Sequence, residues 1–204
     1  MSTPAAPLHF VPTLPAEEAA RAEFYALLAR LFYAPPDEAL LRSLADSGKL
    51  QAEEGALAAA WGRLCAAAAQ ASAPQVREEY DGLFVGTGKA AVTLYTCAYS
   101  IRYASEAPLA ALRGELAALG LARRTESSEP EDHIGALCET MRYLIVERRI
   151  GLPEQKKFFE RWIWPTVPAL CSAIQGAERA GFYKSAAQLL SDLCTLEHTA
   201  FEML

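Results

Sequence analysis

Residues 128–145 read Ser-Glu-Pro-Glu-Asp-His-Ile-Gly-Ala-Leu-Cys-Glu-Thr-Met-Arg-Tyr-Leu-Ile and carry the clearest periodicity in the chain. Ile134, Leu137, Cys138, Met141, Leu144 and Ile145 recur at helical spacing and form one apolar stripe. The spacing predicts a helix from Glu129 to Arg149. Ser128 or Glu129 suits its N-cap, Pro130 fits the first turn, and Ser128 with Glu131 matches a capping box. On this reading Glu131, Asp132 and His133 gather in the first helical turn, beside free N–H groups and the positive end of the dipole. Two accounts of the turn stand side by side: a well-capped structural helix, or a recognition site of acids and an imidazole.

The same 3.6-residue period recurs outward from this segment. Helices are expected from Ala16 to Tyr33, after Asp37, from Glu53 to Ala71 and from Pro74 to Phe84. Others are expected from Glu106 to Leu119, from Glu154 to Gln175 with Pro165 and Pro168 bending or splitting it, and from Ala180 to Leu204. No alternating strand pattern and no 20–50-residue repeat intervenes. The fold class is therefore all-α, a single compact bundle of about seven to nine helices spanning residues 16–204. Residues 1–15, with Pro4, Pro7, Pro12 and Pro15, read as a flexible tail, and residues 121–128 as an exposed linker that can serve as a hinge.

Composition narrows the function classes. Of 204 residues, 52% are hydrophobic and 22% charged, and the formal net charge is −6. That balance is globular and acidic, which disfavours nucleic acid and suits a cationic segment of another protein. The five cysteines, Cys65, Cys97, Cys138, Cys171 and Cys194, form no Cys-x-x-Cys pair, so buried reduced thiols are expected. With three histidines and no Glu-x-x-His pairing, neither a metal site nor a cofactor is expected. The N-terminus lacks the basic and apolar regions of an export signal, and no long apolar run spans a membrane, so the expected location is the cytoplasm. Val85-Gly86-Thr87-Gly88 lacks Walker spacing and reads as a loop closing a helix.

The motifs taken in order are Tyr80-Asp81-Gly82-Leu83-Phe84-Val85-Gly86, Leu94-Tyr95-Thr96-Cys97-Ala98-Tyr99 and Glu129-Pro130-Glu131-Asp132-His133-Ile134. Phe158-Phe159-Glu160 and Phe182-Tyr183-Lys184-Ser185-Ala186-Ala187 follow. This order resembles the TorD/DmsD family of cytoplasmic chaperones for molybdenum-containing redox enzymes, over Glu18 to Leu204. The resemblance implies an all-helical binding protein without catalytic residues. Its partners would be the twin-arginine signal peptide and the apoprotein of a molybdoenzyme, of the dimethyl-sulfoxide or trimethylamine-oxide reductase or formate dehydrogenase type, held until molybdopterin is inserted. It also implies a monomer or a domain-swapped homodimer. Carried onto this chain, the recognition residues are Asp132 and His133 with Tyr80, Phe84, Tyr95 and Tyr99. Two departures bear on the partner: Thr96 and Cys97 stand between the connector tyrosines where relatives often carry Glu and Ser, and Trp162 and Thr166 replace a frequent His and Trp.

Side-chain chemistry is compatible with that role. Glu129, Glu131 and Asp132 can accept bidentate arginine hydrogen bonds, and aromatics with Met141 can line a groove for the apolar part of a peptide. Two further readings remain: an acidic helical adaptor that dimerises through its aromatic surface, and a metal-dependent or hydrolytic enzyme using Asp132 and His133. Adjacent helical residues point about 100° apart, which argues against a relay between those two.

Overall fold

The computed structural model describes residues 13–48, 54–86, 90–100, 107–122 and 129–204. These contain ten α-helical segments and no strand: α1 (Ala16–Tyr33), α2 (Glu38–Ser47), α3 (Ala56–Gln70), α4 (Ala73–Tyr80), α5 (Cys97–Ser100), α6 (Pro108–Ala118), α7 (Ile134–Val146), α8 (Leu152–Phe158), α9 (Val167–Gly176) and α10 (Phe182–Glu202). The all-α expectation holds. One more segment than expected comes from α5, a single turn too short to show a period. Another comes from the break between α8 and α9, where Pro165 lies in the linking turn and Pro168 in the first turn of α9. The capping Ser128, residues 123–128 of the expected hinge and residues 1–12 of the expected tail lie outside the described residues, as do Thr87 and Gly88.

Two helices end in a widened, π-helical turn. Gly86 donates its N–H to the Asp81 carbonyl at 2.8 Å, so α4 runs on through Asp81–Val85. Trp164 donates to the Phe159 carbonyl at 3.0 Å, which extends α8 through Phe159–Ile163. Gly86 has φ +63, a left-handed geometry that glycine adopts without a Cβ clash and that closes the helix.

The stripe on α7 is buried as its period requires, with Ile134, Leu137, Cys138, Met141, Leu144 and Ile145 all sealed from solvent. It packs against Tyr25, Leu28, Ala29 and Phe32 of α1 and the Leu189–Leu190–Leu193 face of α10 in one continuous core. On α10 the helical spacing of Phe182, Ala186, Leu189, Leu190, Leu193, Leu196 and Phe201 predicts a second stripe, and all of it is buried except Leu196, which is half-exposed. All five cysteines are free and buried.

Polar groups reach across this core to cap its helices. Tyr80 and Tyr183 donate their hydroxyls to the Phe32 and Leu31 carbonyls at 3.0 Å, satisfying the C-terminal end of α1. The Glu79 carboxylate accepts the N–H groups of Gly181, Phe182 and Tyr183 at 2.8, 3.0 and 2.8 Å. A side chain of α4 thus supplies the negative charge that the start of α10 favours. Arg21 pairs bidentately with buried Glu197, 2.6 Å on both sides, while Tyr25 donates to the same carboxylate at 3.0 Å. We predict that Glu79→Ala lowers stability by about 2 kcal/mol, the upper range for loss of a helix cap. A thermal melt of that variant beside Glu78→Ala, an exposed neighbour, checks this.

Candidate functional site

The site grows from a non-local pairing of two short stretches. Ile134 donates its N–H to the Leu94 carbonyl at 2.9 Å, and Thr96 donates to the Asp132 carbonyl at 2.8 Å. Tyr95 and His133 therefore face each other in an isolated antiparallel bridge. The Thr96 hydroxyl donates to the same Asp132 carbonyl at 3.1 Å, and Cys97 N–H donates to the Asp132 carboxylate at 3.2 Å. The aromatic connector and the acidic turn are one unit.

This pairing corrects the expected start of α7. The helix begins at Ile134, and Glu131, Asp132 and His133 precede it in a tight turn closed by His133 N–H on the Pro130 carbonyl at 3.2 Å. His133 is the N-cap: its Nδ1 accepts the Gly135 N–H at 3.1 Å, which places the ring proton on Nε2. A proline in a turn and a proline at N1 look alike in sequence, and the backbone groups that would continue a helix backwards are instead used by the connector.

His133 is 3% exposed and sits between two phenols, with ring centroids 5.3 Å from Tyr33 and 5.7 Å from Tyr95. Burial holds its pKa below the usual histidine value, outweighing the opposing pull of Glu129 and Asp132. Asp132 is 4% exposed, its carboxylate engaged inward by Cys97 N–H. Tyr95, 37% exposed, donates its hydroxyl to Glu129 at 2.6 Å, and this bond with partial burial pushes the phenol up to about 12. Arg113 of α6 donates its Nε–H to Glu131 at 3.0 Å. Tyr99 donates to the Thr93 carbonyl at 2.9 Å, which braces the connector.

Beside this unit lies a cleft of about 490 Å³ between α1 and α7. Ala26, Ala29, Gly135 and Ala136 give it a floor of small residues, Tyr33, Leu116 and Leu121 give apolar walls, and Glu129, Glu131, Glu139 and Arg30 line it with charge. The floor is shallow because α1 and α7 approach closely. A Cβ on Gly135 would lie 3.1 Å from the Ala29 carbonyl, from a Tyr33 ring carbon and from His133 Nδ1. Glycine is required there by space.

The sequence-predicted residues thus divide. Glu129, Glu131, His133, Tyr95 and Asp132 converge at or directly behind the cleft. Met141 is fully buried in the core, so it does not line a groove. Tyr80 and Phe84 join Phe32 and Tyr183 in an edge-to-face aromatic cluster, Phe84 lying 5.1 Å from Tyr80 and 5.0 Å from Tyr183. They support the end of α1 from the side. The wall of α1 was missed, although Ala26, Ala29, Arg30 and Tyr33 repeat at i, i+3, i+4 and i+7. That stripe of small and polar residues is overshadowed by the bulky Leu28–Phe32 face next to it.

Chemically the site is suited to binding. Cys97, the thiol beside Asp132, is pushed up to about 12 by burial and the carboxylate, so it stays protonated. His133 Nδ1 is used as a cap. Among the described residues no cluster of His, Cys, Asp and Glu is arranged to hold a metal ion.

The family described as nitrate reductase delta subunit matches residues 50–172 of this chain. That span holds the connector, the acidic turn, α6 and α7, and excludes α1. The chain is also similar to the protein named Chaperone protein TorD from Photobacterium profundum, 25% identical over 134 residues. That alignment covers 60% of this chain and 62% of the relative, so the chain spans less than two thirds of that protein's length. No helix among the described residues is long and apolar enough to cross a membrane.

Protonation of His133 must break the cap, since Nδ1 cannot accept while charged. Because the folded pKa lies below the unfolded one, its contribution is intact above pH about 6.5 and is lost as pH falls below that value. We predict that melting temperature falls more between pH 7.5 and 5.5 in the parent than in His133→Asn, whose amide can cap without titrating. Parallel melts at the two pH values check this.

Proposed function

The chain belongs to the nitrate reductase delta subunit family, and we propose that it is a maturation chaperone for a molybdenum-containing oxidoreductase. In this reading it acts in the cytoplasm and has no catalytic step. It binds the cationic signal segment of the apoenzyme and holds the partner until the cofactor is inserted. The observation that carries the reading is the cleft between α1 and α7, an apolar hollow lined by three glutamates and continuous with the His133 turn.

A twin-arginine segment offers two guanidinium groups next to an apolar run. The small floor of Ala26, Ala29 and Ala136 accepts the apolar run, because a peptide backbone can approach where side chains are short. Glu129 and Glu131 meet the guanidinium groups in the planar, forked geometry that arginine provides and lysine does not. Asp132 and His133 act from behind: they fix the turn that presents the two glutamates. Tyr95 and Tyr99 hold the connector, and Tyr95 steadies the Glu129 carboxylate. The name of the matched family points to an enzyme of nitrate reductase type as client, beside the dimethyl-sulfoxide, trimethylamine-oxide and formate enzymes.

Calorimetric titration against signal peptides tests this. Binding to a twin-arginine peptide is expected, with at least tenfold loss when both arginines become lysines and a similar loss in Glu129→Gln. Arginine-independent binding, or none, contradicts the reading.

A further inference from the structure

The three glutamates that line the cleft each already accept a donor. Tyr95 donates its hydroxyl to Glu129 at 2.6 Å, Arg113 its Nε–H to Glu131 at 3.0 Å, and Arg142 its Nε–H to Glu139 at 2.9 Å. They give the hollow negative charge, and charge alone attracts an ammonium as readily as a guanidinium. Tyr33 offers a different kind of recognition. It is the last residue of α1, lines the same hollow as the glutamates and is 44% exposed. Its ring is held in place by close neighbours: the His133 ring lies 5.3 Å away at 65°, and a Cβ on Gly135 would meet a Tyr33 ring carbon at 3.1 Å. Burial keeps that histidine neutral at neutral pH, so it sets no cation against the ring. Arg30, one turn earlier on the same wall, pairs with Asp37 at 3.1 Å.

We propose that Tyr33 is the specificity-determining residue of the cleft, a platform on which a peptide guanidinium stacks while the glutamates balance its charge. The inference rests on the peptide-binding reading above and names the group that tells arginine from lysine. A guanidinium is planar, delocalised and weakly hydrated, so it can lie flat on an aromatic face with its N–H edge still directed at a carboxylate. An ammonium is compact and strongly hydrated, and it gives up more water on approaching a ring. Stacking uses the ring face alone, so no glutamate has to release the donor it already holds. The phenol oxygen takes no part, and a phenylalanine at this position serves equally well.

Calorimetric titration of the parent chain, Tyr33→Phe and Tyr33→Leu with one twin-arginine peptide and its twin-lysine counterpart tests this, each variant confirmed folded by its melt. Tyr33→Phe is expected to keep the parent's ratio of arginine to lysine affinity. Tyr33→Leu keeps an apolar wall without an aromatic face. It is expected to bind the arginine peptide about fivefold less tightly, with the lysine peptide changed by less than about twofold. An unchanged ratio in Tyr33→Leu, from equal loss or from no loss, overturns the inference, because the side chain then only shapes the wall. A loss in Tyr33→Phe equal to that in Tyr33→Leu also overturns it, since the hydroxyl is then the contact. Should Tyr33→Leu fail to fold, nuclear Overhauser contacts in the parent complex decide. Contacts from a peptide arginine δ-methylene to the Tyr33 ring protons are expected, and their absence overturns the inference. Failure of the parent chain to bind, or equal binding of the two peptides by it, overturns the inference together with the reading on which it rests.

Discussion

The cleft depends on two backbone hydrogen bonds, Ile134 N–H to the Leu94 carbonyl and Thr96 N–H to the Asp132 carbonyl. They tie together stretches far apart in the chain and fix where α7 starts. Had the helix begun at Glu129, its first-turn carboxylates would have splayed around the axis at about 100° intervals. The bridge instead folds Glu129–His133 into a turn. Glu129 and Glu131 then border one hollow, Asp132 points back into the fold, and His133 caps the helix. Asp132 and His133 are spent on making the turn, and in the proposed reading the binding falls to Glu129 and Glu131 beside them.

The close contact of α1 with α7 is the second constraint. Gly135 lets the α1 backbone come within a distance that any Cβ would crowd, and alanines on both helices keep the hollow open. Tyr33 and Tyr95 flank the His133 ring, so the hollow, the cap and the connector share one aromatic boundary. The Tyr80–Phe84–Tyr183 cluster and the hydroxyls on the Leu31 and Phe32 carbonyls hold the end of α1 that forms this wall.

What was legible in the sequence follows from range. The apolar stripes of α7 and α10 are local and periodic, and their burial followed the pattern except at half-exposed Leu196. The acids and imidazole of the turn were legible as residue types. Their division of labour was not, because it depends on the distant Leu94–Thr96 segment. Met141 carries the chemistry of a groove lining yet sits on the stripe that faces the core, so its periodicity was the better guide. Tyr80 and Phe84 look like recognition aromatics in sequence, and only packing against α1 and α10 reveals them as supports. The α1 wall lay hidden beneath a bulkier neighbouring face.

The measurement that bears most directly on the central claim is amide chemical-shift mapping of the full chain with a twin-arginine signal peptide. The largest changes are expected on Ala26, Ala29, Tyr33, Glu131, Gly135 and Ala136, with the Tyr95 amide following through the bridge. Changes centred instead on the second apolar hollow, where Phe24, Trp61 and Leu196 meet between α1, α3 and α10, would contradict it.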